Sequence, residues 1–302
     1  MKVLDSIRRK PKYLSEALTD PQLIGLGLNR TYYEYTQGGD YNRNGIDVID
    51  EDWDNLLLLD ACRYDMYARQ TPFDGPVSVR ESRGSTSRQF VRGNFTDRIL
   101  HDTVVVSGNQ WYLQLRDELG CEFHSYYDVE RDIADGFVPS AEAVTEAALS
   151  KKEEFPNKRL LIHYMQPHHP FVETDVEELK LIRGGLRNTV LESSADRATV
   201  RAAYRDNLQY VLRHVQRLVG SLEGKTVISA DHGELLGERL SPVPTRWYGH
   251  PPGIYVDELV NVPWHVVSEG PRRQIVEDPP LDQGVKIVQA EIEQNLKDLG
   301  YM

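Results

Sequence analysis

Apolar runs alternate with helical patterns along most of this chain, and several of the runs stop abruptly at polar chemistry. Asn55-Leu-Leu-Leu-Leu-Asp60, Thr103-Val-Val-Val-Ser107, Arg159-Leu-Leu-Ile-His-Tyr-Met165 and Thr226-Val-Ile-Ser-Ala230 are short and almost wholly apolar. Runs of that length and character predict parallel strands buried on both faces. Val77–Val79 and Asn261–Val267 predict two further short strands. Between them lie segments of helical spacing: Tyr64–Gln70, Arg88–Asn94, Trp111–Glu118, Ser140–Lys152, and a long stretch over Ala195–Leu222. In that last stretch Tyr204, Leu208, Val211, Leu212, Val215 and Leu218 keep one stripe. A tail over Gln283–Leu299 keeps a second stripe with Val285, Val288, Ile292 and Leu296.

Strands alternating with helices predict a three-layer α/β sandwich around a largely parallel sheet. Residues 1–20 read as a short polar helix ended by Pro21, and residues 21–50, rich in Gly, Asn, Tyr and Asp, as loop. The expected organisation is an N-terminal extension over 1–50 packed on a single domain over 51–302. Residues 171–195 read as a charged insertion, and the prolines and glycines of 242–253 as a loop.

Composition narrows the function classes. The formal net charge is -12, and no basic tract stands out. Binding to nucleic acid rests on lysine and arginine neutralising phosphates, so no nucleic-acid partner is expected. Acidity with arginine in excess of lysine also fits a salt-rich cytoplasm. The two cysteines, Cys62 and Cys121, provide neither a disulfide framework nor a cysteine metal site. No run is long and apolar enough to span a bilayer. The first residues are basic without the apolar core of a signal peptide, so the expected compartment is the cytoplasm. A weak amphipathic surface helix there stays open.

Three strands end in one kind of chemistry. Leu59 is followed by Asp60; Met165 by Gln166, His168 and His169; Ala230 by Asp231, His232, Gly233 and Glu234. The loop at 249–253 adds His250. In a parallel sheet the carboxyl ends of strands share one edge, where ligands bind. Carboxylates and imidazoles gathered there suit a divalent metal that accepts oxygen and nitrogen donors. Gly233 is expected to supply backbone freedom at the turn.

LLLLDACRYD at 56–65, GSTSRQF at 84–90, HYMQPHHPF at 163–171, SADHGELLGE at 229–238, GHPPG at 249–253 and VPW at 262–264 occur in this order, with DLGYM closing the chain. From about residue 50 onward the sequence resembles the alkaline phosphatase and sulfatase superfamily. The resemblance implies an alkaline-phosphatase-like fold and one or two divalent ions (zinc, manganese or calcium). It also implies a metal-activated hydroxyl nucleophile. Carried over position by position, Asp60, Asp231, His232 and His250 are metal ligands. His169 and His168 contact the transferred group or a second metal. Apart from the resemblance, Arg88 or Arg92 is the candidate to steady the phosphoryl oxygens. Glu234 orients a ligand, Arg63 is structural and pairs with Asp65, and His163 has no assigned role. The register of GSTS makes Ser87 the nucleophile, with Thr86 and Ser85 as alternatives. A hydroxyl capping the following helix is the competing reading of that turn.

Two departures bear on the reaction. Sulfatases of this superfamily carry Cys-x-Pro-Ser-Arg, whose cysteine becomes formylglycine, and the chain has no such motif. No Asp-x-x-x-His pair follows the 159–165 strand, so the ligands of a second metal are not all legible. The expected function is therefore a metal-dependent hydrolase or transferase acting on phosphate esters or diesters. The alternatives are a sulfuric ester hydrolase, and a catalytically weak relative that binds an anionic glycan or lipid headgroup.

Overall fold

The computed structural model describes residues 20–182 and 184–281, together with 294, 296 and 297. Nine strands form among the described residues: β1 Asn55–Leu59, β2 Ser78–Glu81, β3 Ile99–Ser107, β4 Glu122–Asp128, β5 Arg159–Tyr164, β6 Thr226–Ser229, β7 Leu235–Arg239, β8 Arg246–Gly249 and β9 Asn261–Ser268. Seven of them make one sheet in the order β2-β9-β6-β1-β5-β3-β4. Its centre is parallel: β1 pairs with β5 and β6, and β3 pairs with β4 and β5. β9 runs antiparallel to β6 and to β2.

The leucine run of β1 shows why the centre is apolar on both sides. Leu57 and Leu59 enter one core with Val104, Val106, Leu160 and Ile162, whereas Leu56 and Leu58 enter the other with Val105 and Leu161. A side chain on either face of a central strand meets a helix layer, so period-2 alternation has no polar partner.

The helices that position the site and cover the sheet are α1 Pro21–Thr36, α2 Tyr64–Gln70, α3 Ser87–Phe95, α4 Ala141–Glu154, α5 Leu186–Glu192 and α6 Arg197–Val219. α4 and α6 cover the face that Leu57 and Leu59 enter, through Val144, Ala148, Tyr204, Leu208 and Val211. Phe90 and Phe95 of α3, with Trp53, Trp111 and Leu296, cover the other. The sandwich predicted from alternation is therefore present, and its sheet is largely parallel.

The structure departs from the sequence reading in four places. Pro21 begins a helix instead of ending one: the Asp20 side chain accepts from Gln22 N, and Pro21 stands at the first helical position, where its missing N–H costs nothing. The segment expected as loop from residue 21 is thus helical to Thr36. The stretch over Trp111–Glu118 breaks into two short turns, Trp111–Gln114 and Arg116–Leu119. β4 and the hairpin β7–β8 were unforeseen, because charged and glycine residues hide their alternation. The predicted helix over 1–20 and most of that over 283–299 lie outside the described residues; Leu296 is buried.

α1 packs on the hairpin side of the domain. Leu26 and Tyr33 join Leu235, Leu240, Trp247, Ile254 and Leu259 in a separate cluster. Asn29 Nδ2 donates to Val243 O at 2.8 Å, and Val243 N donates back to Asn29 Oδ1 at 2.9 Å. Among the described residues no helix is long and apolar enough to cross a membrane.

Candidate metal centre

β1, β5 and β6 deliver their following residues to one edge of the sheet, and two donor clusters form there. Asp60, Asp231 and His232 each offer a ligand atom within 4.8 Å of the others, and all three are buried. His168, Glu234 and His250 do the same beside them. The clusters adjoin: the rings of His232 and His250 lie 4.5 Å apart, and those of His168 and His250 lie 5.0 Å apart.

The first cluster is held from behind by backbone. Asp231 Oδ1 accepts from its neighbour His232 N at 2.8 Å and from Ala61 N at 3.1 Å. Ala61 adopts φ 59°, a left-handed conformation that costs an L-residue about 1–2 kcal/mol. Tyr204 of α6 holds that turn: its hydroxyl donates to Ala61 O at 2.8 Å and accepts from Arg63 N at 3.0 Å. His232 Nδ1 donates to the Gly233 carbonyl at 2.8 Å, which leaves Nε2 with its lone pair toward the carboxylates. That Nε2 lies 3.4 Å from Asp231 Oδ2 and 3.6 Å from Asp60 Oδ1.

These donors fit a divalent cation. Asp231 Oδ2 and Glu234 Oε2 are buried with no hydrogen-bond partner among the described residues. A buried carboxylate oxygen without a donor is costly unless a cation faces it. Burial works to raise the Asp231 carboxyl, but the His232 and His163 rings, Ser87 and the Ala61 N–H hold it below the ordinary value. Burial lowers His232, although Asp231 opposes it. Burial also drives His168 well below its usual value and His169 down to about 3. One imidazole with two carboxylates in the first cluster, and two imidazoles with one carboxylate in the second, make N/O donor sets suited to zinc or manganese.

The hydroxyl turn 85–87 separates into three environments. Ser85 Oγ donates to Gln89 Oε1 at 2.8 Å and accepts from Gly253 N at 3.1 Å. Thr86 is the N-cap of α3 and accepts from Gln89 N at 3.3 Å. Ser87 alone of the three faces the cluster: its Oγ is 3.3 Å from Asp60 Oδ2 and 3.3 Å from His232 Nε2. The capping reading and the cluster-facing hydroxyl therefore coexist on adjacent residues.

Other expected site residues are distributed unequally. His250 Nδ1 donates to Glu234 Oε1 at 3.1 Å, and Glu234 also offers a carboxylate oxygen to the second cluster. His168 belongs to that cluster, while His169 sets its ring edge-on to Phe171 and belongs to neither. Arg88 is exposed, with its guanidinium over the Trp111 ring at 5.4 Å. Arg63 does pair with Asp65 at 2.8 Å, and with Glu238 at 2.9 Å. Gly233 is explained by proximity rather than by backbone freedom: a Cβ there would meet the Glu258 carbonyl oxygen at 2.1 Å.

Two residues in contact with the centre had no role in the sequence reading. Asn109, just past β3, donates from Nδ2 to Asp60 Oδ2 at 2.8 Å. His163, inside β5, places Nε2 3.8 Å from Asp60 Oδ2 and 3.7 Å from Asp231 Oδ2. Its Nδ1 meets the Tyr112 hydroxyl at 3.1 Å, and burial lowers it to about 4. The available signal was a polar residue just past an apolar strand for Asn109, and a histidine inside one for His163.

Cys62 is buried in the core, and burial pushes its thiol well above the usual value. It is therefore packing material.

No protein-family model matches the chain, and no curated protein matches it. Several solved structures are similar. The C-terminal periplasmic domain of EcEptC from Escherichia coli, in complex with Zn, is 11% identical with a TM-score of 0.44, over 74% of this chain and 76% of that one. A 2-O GAG sulfatase is 13% identical with a TM-score of 0.47, over 74% and 65%. An alkaline phosphatase superfamily protein from Vibrio parahaemolyticus is 13% identical with a TM-score of 0.44, over 83% and 70%. These likenesses are partial and say nothing about what this chain acts on.

Proposed function

We propose that this chain is a divalent-metal-dependent enzyme that uses Ser87 to attack phosphate esters or diesters, hydrolysing them or transferring the phosphoryl group to a second alcohol. The observation that carries this reading is the position of the Ser87 hydroxyl, 3.3 Å from both Asp60 Oδ2 and His232 Nε2, at the start of α3. A hydroxyl there has a built destination for the phosphoryl oxygens, because the free N–H groups of a helix N-terminus bind anions.

Asp60, Asp231 and His232 would hold one ion, and His168, Glu234 and His250 a second. Such an ion supplies positive charge that lowers the pKa of a neighbouring hydroxyl and offsets charge developing on the phosphoryl oxygens. The chain's own residues do the rest. Ser87 Oγ forms a bond to phosphorus as the bond to the leaving alkoxide breaks, and that alcohol takes the proton Ser87 gives up. Water or an acceptor alcohol then displaces Ser87 by the same exchange in reverse. Asn109 and the backbone N–H of Ala61 keep the carboxylates aimed at the site throughout.

The phosphoryl preference follows from the nucleophile. Cys62 is buried in the apolar core, and no formylglycine motif is present, so the usual sulfatase nucleophile has no counterpart. The test is a panel of aryl phosphates, phosphodiesters and aryl sulfates with zinc or manganese. Ser87→Ala is expected to lower kcat/KM on a phosphoryl substrate roughly 10³-fold or more, the scale of losing a covalent nucleophile. Turnover surviving in Ser87→Ala but lost in Thr86→Ala or Ser85→Ala would move the nucleophile. Metal binding without turnover on any ester would leave only a binding protein.

A further inference from the structure

Between α1 and the loop after β8 lies a cavity of about 210 Å³, lined by Arg30, Tyr33 and Glu34 of α1, by Gly39 just past it, and by Gly253 and Tyr255 of the loop. The catalytic reading leaves it unused. At about 30 Å³ of liquid volume per water it holds roughly seven waters, the space of one small ring. It adjoins the centre through two shared walls. One is the loop 249–253: His250 belongs to the second donor cluster, and Gly253, three residues on, lines the cavity. The other is the first turn of α3, where Ser87 faces the first cluster and Gln89, two residues on, bonds to the cavity side. Gln89 Nε2 donates to the Tyr255 hydroxyl at 3.0 Å and to Asp40 O at 3.2 Å, and its Oε1 accepts from Gly253 N at 3.3 Å. A group held in the cavity therefore lies against the elements that carry Ser87 and His250.

The lining selects a class of ligand. Arg30 is half-buried and Glu34 exposed, one turn apart on α1, so the wall carries one donor fork and one acceptor with no net charge. A cation would meet Arg30, and an anion would meet Glu34 in a protein of formal charge -12. Neutral hydroxyls, which both donate and accept, satisfy the two together. The rings of Tyr33 and Tyr255 lie 5.7 Å apart at 80° to each other. They form an apolar corner against which the C–H faces of a saturated ring pack. We propose that this cavity is the subsite for the alcohol part of the substrate, and that this alcohol is a polyhydroxylated ring, a sugar or a cyclitol. The proposal rests on the phosphoryl-ester reading of Ser87 and names the class of ester that it acts on.

Isothermal titration calorimetry of the full chain with zinc tests it, using the Ser87→Ala variant so that no ester is consumed. The ligands are ethyl phosphate, glucose 1-phosphate and inositol 1-phosphate. One of the two ring phosphates is expected to bind at least about tenfold tighter than ethyl phosphate, the scale of one added hydrogen bond to a charged group. Which of them gains tells sugar from cyclitol. Adding Arg30→Ala or Glu34→Ala is expected to remove that advantage. The ratio of the two Kd values is the readout, so a general loss of phosphate affinity does not imitate the effect. Should circular dichroism show the Arg30 variant unfolded, Glu34→Ala, at an exposed position, carries the comparison. The proposal is overturned if neither ring phosphate binds tighter than ethyl phosphate, or if the advantage survives in the folded cavity variants. Failure of the catalytic reading is seen separately, as equal phosphate release by the wild type and Ser87→Ala.

Discussion

Asn109 Nδ2 donates to Asp60 Oδ2 at 2.8 Å, from the end of β3 to the end of β1, past the intervening strand β5. Asn109 is itself pinned: its Oδ1 accepts from Trp111 N at 3.1 Å and its N–H donates to Ser107 Oγ at 2.9 Å. One carboxylate oxygen is thus fixed by a side chain whose own position is set by backbone. Asn109→Ala is expected to weaken zinc or manganese binding about 10–100-fold, the usual effect of losing such an orienting group. Titration against a competing chelator measures it. Unchanged affinity in a folded variant would show that Asp60 needs no such support.

Metal and stability should be linked at this centre. An ion that binds only the folded chain adds about 2.7 kcal/mol at a free concentration a hundred times its Kd. Urea denaturation with buffered zinc should show that gain in the wild type. Asp231→Ala, which removes the buried Oδ2 oxygen, should abolish it. An equal gain in both proteins would place the ion elsewhere.

Gly233 tests the packing behind the centre. A Cβ at this position would lie 2.1 Å from the Glu258 carbonyl oxygen, and backbone cannot swing away as a side chain can. Gly233→Ala is expected to cost about 1–3 kcal/mol, the range for overpacking. Because His232 Nδ1 donates to the Gly233 carbonyl, metal affinity should fall with it. Denaturation midpoints and metal titration on the same preparation check both effects.

Glu238 gives a pH dependence remote from the centre. Burial would raise its carboxyl, but Arg63 overcomes that and the folded value lies below the ordinary one. Arg197 and Arg201 bond to the same carboxylate. A depressed folded value means the contribution is fully present above the unfolded pKa of about 4.3 and is lost as pH falls through the folded value. Glu238→Gln should therefore lose less stability than the wild type between neutral pH and the acid side of that window. Parallel stability curves in urea across this range would refute the assignment.

Much of this was legible in the sequence because the information is local. A run such as LLLL can satisfy its backbone and side chains only in the middle of a covered sheet. The residues that end such runs in a parallel sheet reach one edge. Asp60, Asp231 and His232 stand out on that ground together with their resemblance to known motifs, and His250, in a loop, by the resemblance. Pro21 misled the reading because proline both ends helices and begins them. The cap at Asp20, one residue earlier, decides between the two.

Tertiary structure decided what depends on direction and proximity. The hydroxyls of Ser85, Thr86 and Ser87 are equivalent in sequence. The start of α3 turns one toward Gly253, one onto the helix N-terminus and one toward Asp60. His163 was an unexplained histidine within an apolar strand until β1 and β6 placed two carboxylates within 4 Å of it. Asn109 and Tyr204 were a turn residue and a core residue until the sheet brought the one to Asp60 and the packing of α6 brought the other to Ala61. Strand pattern and ligand type are written in neighbouring residues. Which oxygen faces which, and which side of α1 lines the cavity, are set by contacts between residues far apart in the chain.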